Sequence, residues 1–231
     1  MNDPGYSSKP SITQFLQQRK YELLLFALVQ HLFIGIFLQN LPLYTKVIWP
    51  INMLILGTAS VGVFIEKGKW KNALRNLLFI LVLGFPITLP FAAHVPNFML
   101  ALNVSYVVFY VFIFWEIMKF LIRPSYINVD VISASACGYF LLIEMSVFLL
   151  QIYVYANPNS FKGLNTTDPA SIYMDLVYFC SITLTSIGFG DISPNTHQTK
   201  LITALFGITG QFYAVVLVGI IISKFSSVTE K

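Results

Sequence analysis

The sequence predicts an all-α membrane protein with six transmembrane helices per chain and a shorter re-entrant helix and loop between the fifth and sixth. Three observations lead there. The 231 residues are 56% hydrophobic and only 10% charged, where a soluble domain carries about 25% charged residues. Six apolar segments are each long enough for a hydrocarbon core that needs about 20 residues per helix. Of the 14 Lys and Arg, only Lys46, Lys162 and Lys200 fall on the outer side of that arrangement. The other eleven fall inside, which puts both termini in the cytoplasm of a plasma (inner) membrane.

Residues 1–20 are polar and lack a small-residue cleavage site, so Arg19 and Lys20 flank a retained first span. Residues 21–128 form a four-helix region with spans at Tyr21 to Gln39, Tyr44 to Ile65, Leu74 to Ala93 and Phe98 to Phe120. His31 stands alone in the first, open to a packing role or to a proton-sensing one. Pro50 should bend the second span, and Pro86 and Pro90 the third. The fourth has no arginine, and its charges, Glu116 and Lys119, are spaced as an i,i+3 pair.

Residues 129–226 form a second unit. The fifth span, Val129 to Tyr155, carries Glu144 near its middle, where a carboxylate is costly unless protonated or paired with a hydroxyl or amide. The sharper alternative is titration near neutrality. Pro169 to Thr185 is helical but too short to cross; Pro169 suits a first helical turn and Asp168 an N-cap. Asp175 lies where negative charge favours a helix N-terminus. The sixth span, Gln198 to Phe225, contains Gly207, Gly210 and Gly219. Residues 227–231 form a short cytoplasmic tail, too short for a regulatory domain. Cys137 and Cys180 sit in apolar runs and read as buried thiols.

Between the re-entrant helix and the sixth span lies Thr183-Leu184-Thr185-Ser186-Ile187-Gly188-Phe189-Gly190-Asp191. Two glycines flanking one aromatic permit backbone angles that turn successive carbonyl oxygens to one side. Such a row of oxygens is a cation ligand.

With Tyr178-Phe179 upstream and Pro194 downstream, this stretch resembles the filter of potassium channels, whose pattern is roughly T-x-T-T-V-G-[YF]-G-D. The resemblance implies a passive, potassium-selective channel subunit that is not an enzyme and needs no cofactor. Potassium would bind at Ser186, Ile187, Gly188 and Phe189, with the Ser186 hydroxyl innermost and the carbonyls continuing to Gly190. Thr183, Thr185, Tyr178, Asp191 and Glu144 would support the filter, Tyr178 bracing Asp191. Gly210 would be a hinge or a close-packing point. Gln211, Ala214 and Val218 would line the cavity below, and Val218 with Ile222 a hydrophobic gate. One filter per chain implies a homotetramer of this chain and three further copies, in lipid, with no nucleic acid or soluble partner. The missing arginines of the fourth span argue against strong voltage gating.

Ser186 stands where the family commonly has Thr, and Phe189 where it commonly has Tyr. A weakly selective monovalent cation channel is therefore the first rival. A potassium transporter subunit is the second, disfavoured because only one such loop occurs. A membrane enzyme or sensor lacks any His, Cys or carboxylate cluster at ligand or nucleophile spacing.

Overall fold

A computed structural model describes residues 19–38, 40–64, 68–92, 97–122 and 129–229. Most of the expected N-terminal segment, the loop holding Arg123 and the last two residues lie outside that set. Helix α1 (Lys20–Phe33) buries Tyr21, Leu24, Leu28, His31 and Leu32, a three-four spacing that makes one inward face. It tightens into a 3-10 turn at Ile34–Phe37.

The next helical run begins at Leu41–Leu43, widens into a π turn at Tyr44–Ile48 and continues as α2 (Trp49–Phe64). Pro50 supplies the reason for the π turn. It has no N–H to give and its ring crowds the carbonyl one turn back, so the helix widens just ahead of it. Pro50 predicts a bend here; the structure shows this local widening, with Tyr44 and Trp49 both buried beside it.

Helices α3 (Gly68–Ala92), α4 (Phe98–Ile122) and α5 (Val129–Ala156) follow. Glu116 and Lys119 on α4 form the expected pair, at 3.2 Å. After α5 the chain enters a short 3-10 turn (Pro158–Ser160) and strand β1 (Phe161–Lys162). Helix α6 (Pro169–Leu184), strand β2 (Ser193–Pro194) and helix α7 (His197–Thr229) complete it.

Five of the described helical runs are long and apolar enough to cross a membrane: Lys20–Phe37, Leu41–Val63, Phe98–Ile122, Val129–Ala156 and His197–Leu217. The expected third span falls on α3, which is 25 residues long. Lys69, Lys71 and Arg75 fall in its first turns, and Phe79–Thr88 is an apolar stretch among its described residues.

The core is centred on α5, against which α1, α4, α6 and α7 all pack. Tyr173 of α6 sits at the meeting point. Its ring stacks with Trp49 and Tyr44 at centroid distances of 6.0 and 6.4 Å, and lies 5.8 Å from Phe148 and 5.4 Å from His31. Aromatic pairs at such separations add about 0.5–1.5 kcal/mol each beyond their buried area.

Helix α7 is tied to α5 where the Tyr213 hydroxyl donates to the Ser135 carbonyl at 2.8 Å. Gly138 makes the approach possible, because a Cβ there would overlap that hydroxyl. Gly138→Ala is expected to break the tie and cost about 1–3 kcal/mol, as overpacking usually does. A thermal melt of the detergent-purified protein reads this, and an unchanged midpoint would contradict the packing described.

Candidate functional site

Helix α6 is started by Asp168, whose Oδ1 accepts from the N–H groups of Ala170 and Ser171 at 3.0 and 3.1 Å. Burial pushes this carboxyl up, but the hydrogen bonds from Ser171, Thr167 and Ala170 outweigh it and hold the group below the usual carboxylate range. Asp175, expected to act on the helix terminus, accepts instead from the Asn165 N–H at 2.8 Å. Burial holds its carboxyl above the usual range, with the Asn165 bond opposing and the Asp191 charge adding.

At its far end α6 unwinds through Thr185, whose hydroxyl donates back to the Ser181 carbonyl at 2.7 Å. The N–H groups of Ile187 and Gly188 both donate to the Ile182 carbonyl, at 2.8 and 3.2 Å. Beyond that fork the backbone alternates. Ser186, Gly188 and Gly190 have φ of 61°, 55° and 82°, while Ile187 and Phe189 between them do not enter that region. Glycine takes a positive φ at no steric cost; at Ser186 it costs about 1–2 kcal/mol. Strain of this kind is retained where the site needs the geometry.

Among the described residues, no carbonyl from Ser186 to Gly190 accepts a hydrogen bond from the protein. Five consecutive main-chain oxygens are thus uncommitted, on a loop whose residues 185–191 are all exposed. The arrangement can replace part of a cation's water shell.

The support around the loop is now specific. The Tyr178 hydroxyl donates to Asp191 Oδ2 at 2.8 Å, and that bond holds the Asp191 carboxyl below its usual range. Gln211 Nε2 donates to the Leu184 carbonyl at 2.9 Å, tying α7 to the last turn of α6. Gly210 is buried against Leu184, whose Cγ a Cβ would meet at 3.0 Å. Of its two expected roles, close packing is the one seen. Thr183, Ser186, Gly207, Ile208, Gln211 and Val215 border an open hollow beside the loop. Ala214, half-buried on α7, does not border this hollow. Val218 and Ile222 lie on α7, but their side chains fall outside what is described.

Glu144 departs most from expectation. Its Oε1 lies 2.6 Å from His31 Nδ1, both side chains are fully buried, and the Tyr173 hydroxyl lies 2.9 Å from the same nitrogen. The partner is thus an imidazole from the first helix, not a hydroxyl or amide of the pore or inner helix. His31 is correspondingly not alone. Among the described residues Glu144 makes no hydrogen bond to α6, and Tyr173 of that helix shares the His31 nitrogen with it. Gly35, in the 3-10 turn after α1, packs on Met174, with a Cβ there 3.0 Å from the Met174 methyl carbon, so α1 and that turn touch α6 at two successive residues. No periodicity in either segment signals these pairings.

The family model for ion channels matches residues 98–227. Two pore potassium channel a of Oryza sativa subsp. japonica is 32% identical over 87 residues, 38% of this chain and 22% of the relative. Two-pore potassium channel 5 of Arabidopsis thaliana is 32% identical over 88 residues, 35% of this chain and 21% of the relative. Two-pore potassium channel 3 of the same plant is 39% identical over 61 residues. The chain therefore covers about a fifth of the length of the first two relatives. No solved structure matches it.

Proposed function

This chain belongs to the ion channel family, and from that premise we propose that it is a subunit of a potassium-selective channel whose filter is Ser186 to Gly190. A member of this family is a pore and not an enzyme. The observation that carries the reading is the loop itself, in which alternating positive φ values leave successive carbonyl oxygens without a protein partner. The similarity to plant two-pore potassium channels favours potassium as the permeant ion.

Four chains around one axis complete a cage that one chain only begins. In support, Leu201, Leu205, Ile208, Phe212 and Val215 recur at three- and four-residue spacing on α7 and are each 61–72% exposed. A continuous apolar stripe beside the filter suits a neighbouring copy or lipid. The six spans, the division at residue 129 and the cytoplasmic termini in a plasma membrane belong to the same proposal.

Selectivity is tested by reversal potentials of the reconstituted chain in planar bilayers under opposed potassium and sodium gradients. A potential that follows potassium is expected. One that is unchanged when the ions are exchanged favours the weakly selective cation channel instead. That reading has its own observation: Phe189 is 71% exposed and has no hydroxyl to tie the filter to its surroundings.

A further inference from the structure

Building on the pore reading above, we propose that the outer loop between α5 and α6 positions the outer end of the filter through Gly163 and Asn165, and so tunes its selectivity.

The loop is fastened first to the segment that leaves the filter. Strands β1 and β2 pair antiparallel, Phe161 opposite Pro194 and Lys162 opposite Ser193. The Ser160 carbonyl accepts from the Asn195 N–H at 2.8 Å and from the Thr199 hydroxyl at 3.0 Å. Asn195 Nδ2 donates to the Asn159 carbonyl at 3.0 Å. These bonds join the end of α5 to the start of α7 across the filter exit.

Gly163 then lies directly on the main chain of Asp191. Its φ is 78°, a conformation for which glycine is the default residue. A Cβ at this position would overlap the Asp191 carbonyl oxygen, with the Asp191 carbonyl carbon at 3.1 Å and Ile192 Cα at 3.4 Å. All three contacts are with backbone, which cannot rotate away as a side chain could. Asp191 is therefore gripped twice, its main chain by Gly163 and its carboxylate by Tyr178.

Two residues on, the Asn165 N–H donates to Asp175 Oδ2. That bond returns the loop to α6, the helix whose other end starts the filter. Gly163 is thus held between two anchors, β1 on one side and Asn165 on the other. It presses on the Asp191–Ile192 peptide, next in the chain to the one that carries the carbonyl of Gly190, the outermost of the filter. Displacing that peptide moves a cation ligand, and discrimination in a carbonyl filter depends on ligand position and number. Gly163 and Asn165 act through Asp191 and are positioning residues.

The test uses the full chain in planar bilayers, reading the potassium-to-sodium permeability ratio and the single-channel conductance. Gly163→Ala is expected to lower the ratio by about fivefold or more, the low end of coupling between a remote residue and a binding site. Asp175→Ala should lower it in the same direction, whereas Asp175→Asn, which retains an acceptor for the Asn165 N–H, should restore it. A Gly163→Ala channel with the wild-type ratio overturns the proposal. If that variant does not assemble, Asp175→Ala, which adds no bulk, decides by the same measure. A wild type that does not discriminate potassium from sodium overturns the potassium reading alone, and in that case variants of unaltered conductance overturn the positioning role.

Discussion

Gly188→Ala is expected to abolish potassium current while leaving the assembled protein intact. The residue has a φ of 55°, and a Cβ built on it meets nothing within 4 Å of its own chain. Within one subunit the cost is therefore backbone strain, about 1–2 kcal/mol for a left-handed alanine. That is small against a net stability of about 5–15 kcal/mol for an ordinary domain. In a tetramer the effect is different in kind. Four methyl groups would be added to the narrowest part of the proposed pore, and four peptides would be driven toward right-handed angles. Bilayer recordings beside crosslinking of the purified protein separate the two outcomes. Wild-type current through Gly188→Ala would remove the filter from this loop, and loss of the oligomer would mean that the glycine serves folding first.

What the sequence discloses here follows the range of each interaction. The start of α6 is legible because Asp168 and Pro169 act on neighbours two or three residues away. The Tyr178–Asp191 bond crosses only thirteen residues and sits in a recurring local pattern. The π turn at Tyr44–Ile48 was half legible: Pro50 announces a disturbance, but whether a helix kinks or widens depends on what packs beside it, here Tyr173. Gly163 gave no signal, since a glycine in a polar loop looks the same whether it faces water or a carbonyl. Gly210 is the converse case. Its spacing from the filter invited a hinge, and the contact with Leu184 that makes it a packing point belongs to another helix. His31 and Glu144 are 113 residues apart, and neither position carries a mark of the other.

That pair supports the second large effect. His31→Leu alone is expected to destabilise the protein by about 1–3 kcal/mol, the usual result of leaving one partner of a buried hydrogen bond unsatisfied. The Glu144 carboxylate would lose the imidazole that lies 2.6 Å away, in surroundings from which water is excluded. Tyr173 would lose the same nitrogen, so the disturbance reaches α6 and the aromatic cluster around it. Glu144→Leu should be costly for the mirror reason. The combined His31→Leu and Glu144→Leu variant should recover most of the loss, because two apolar side chains leave no unpartnered polar group behind, and replacing both partners of a buried hydrogen bond is often nearly neutral. Thermal unfolding of the single and double variants in detergent gives the coupling energy directly. Additive losses would mean that the two groups do not depend on each other. If the double variant is stable and conducts normally at every pH tested, the pair is a structural tie between α1 and α5.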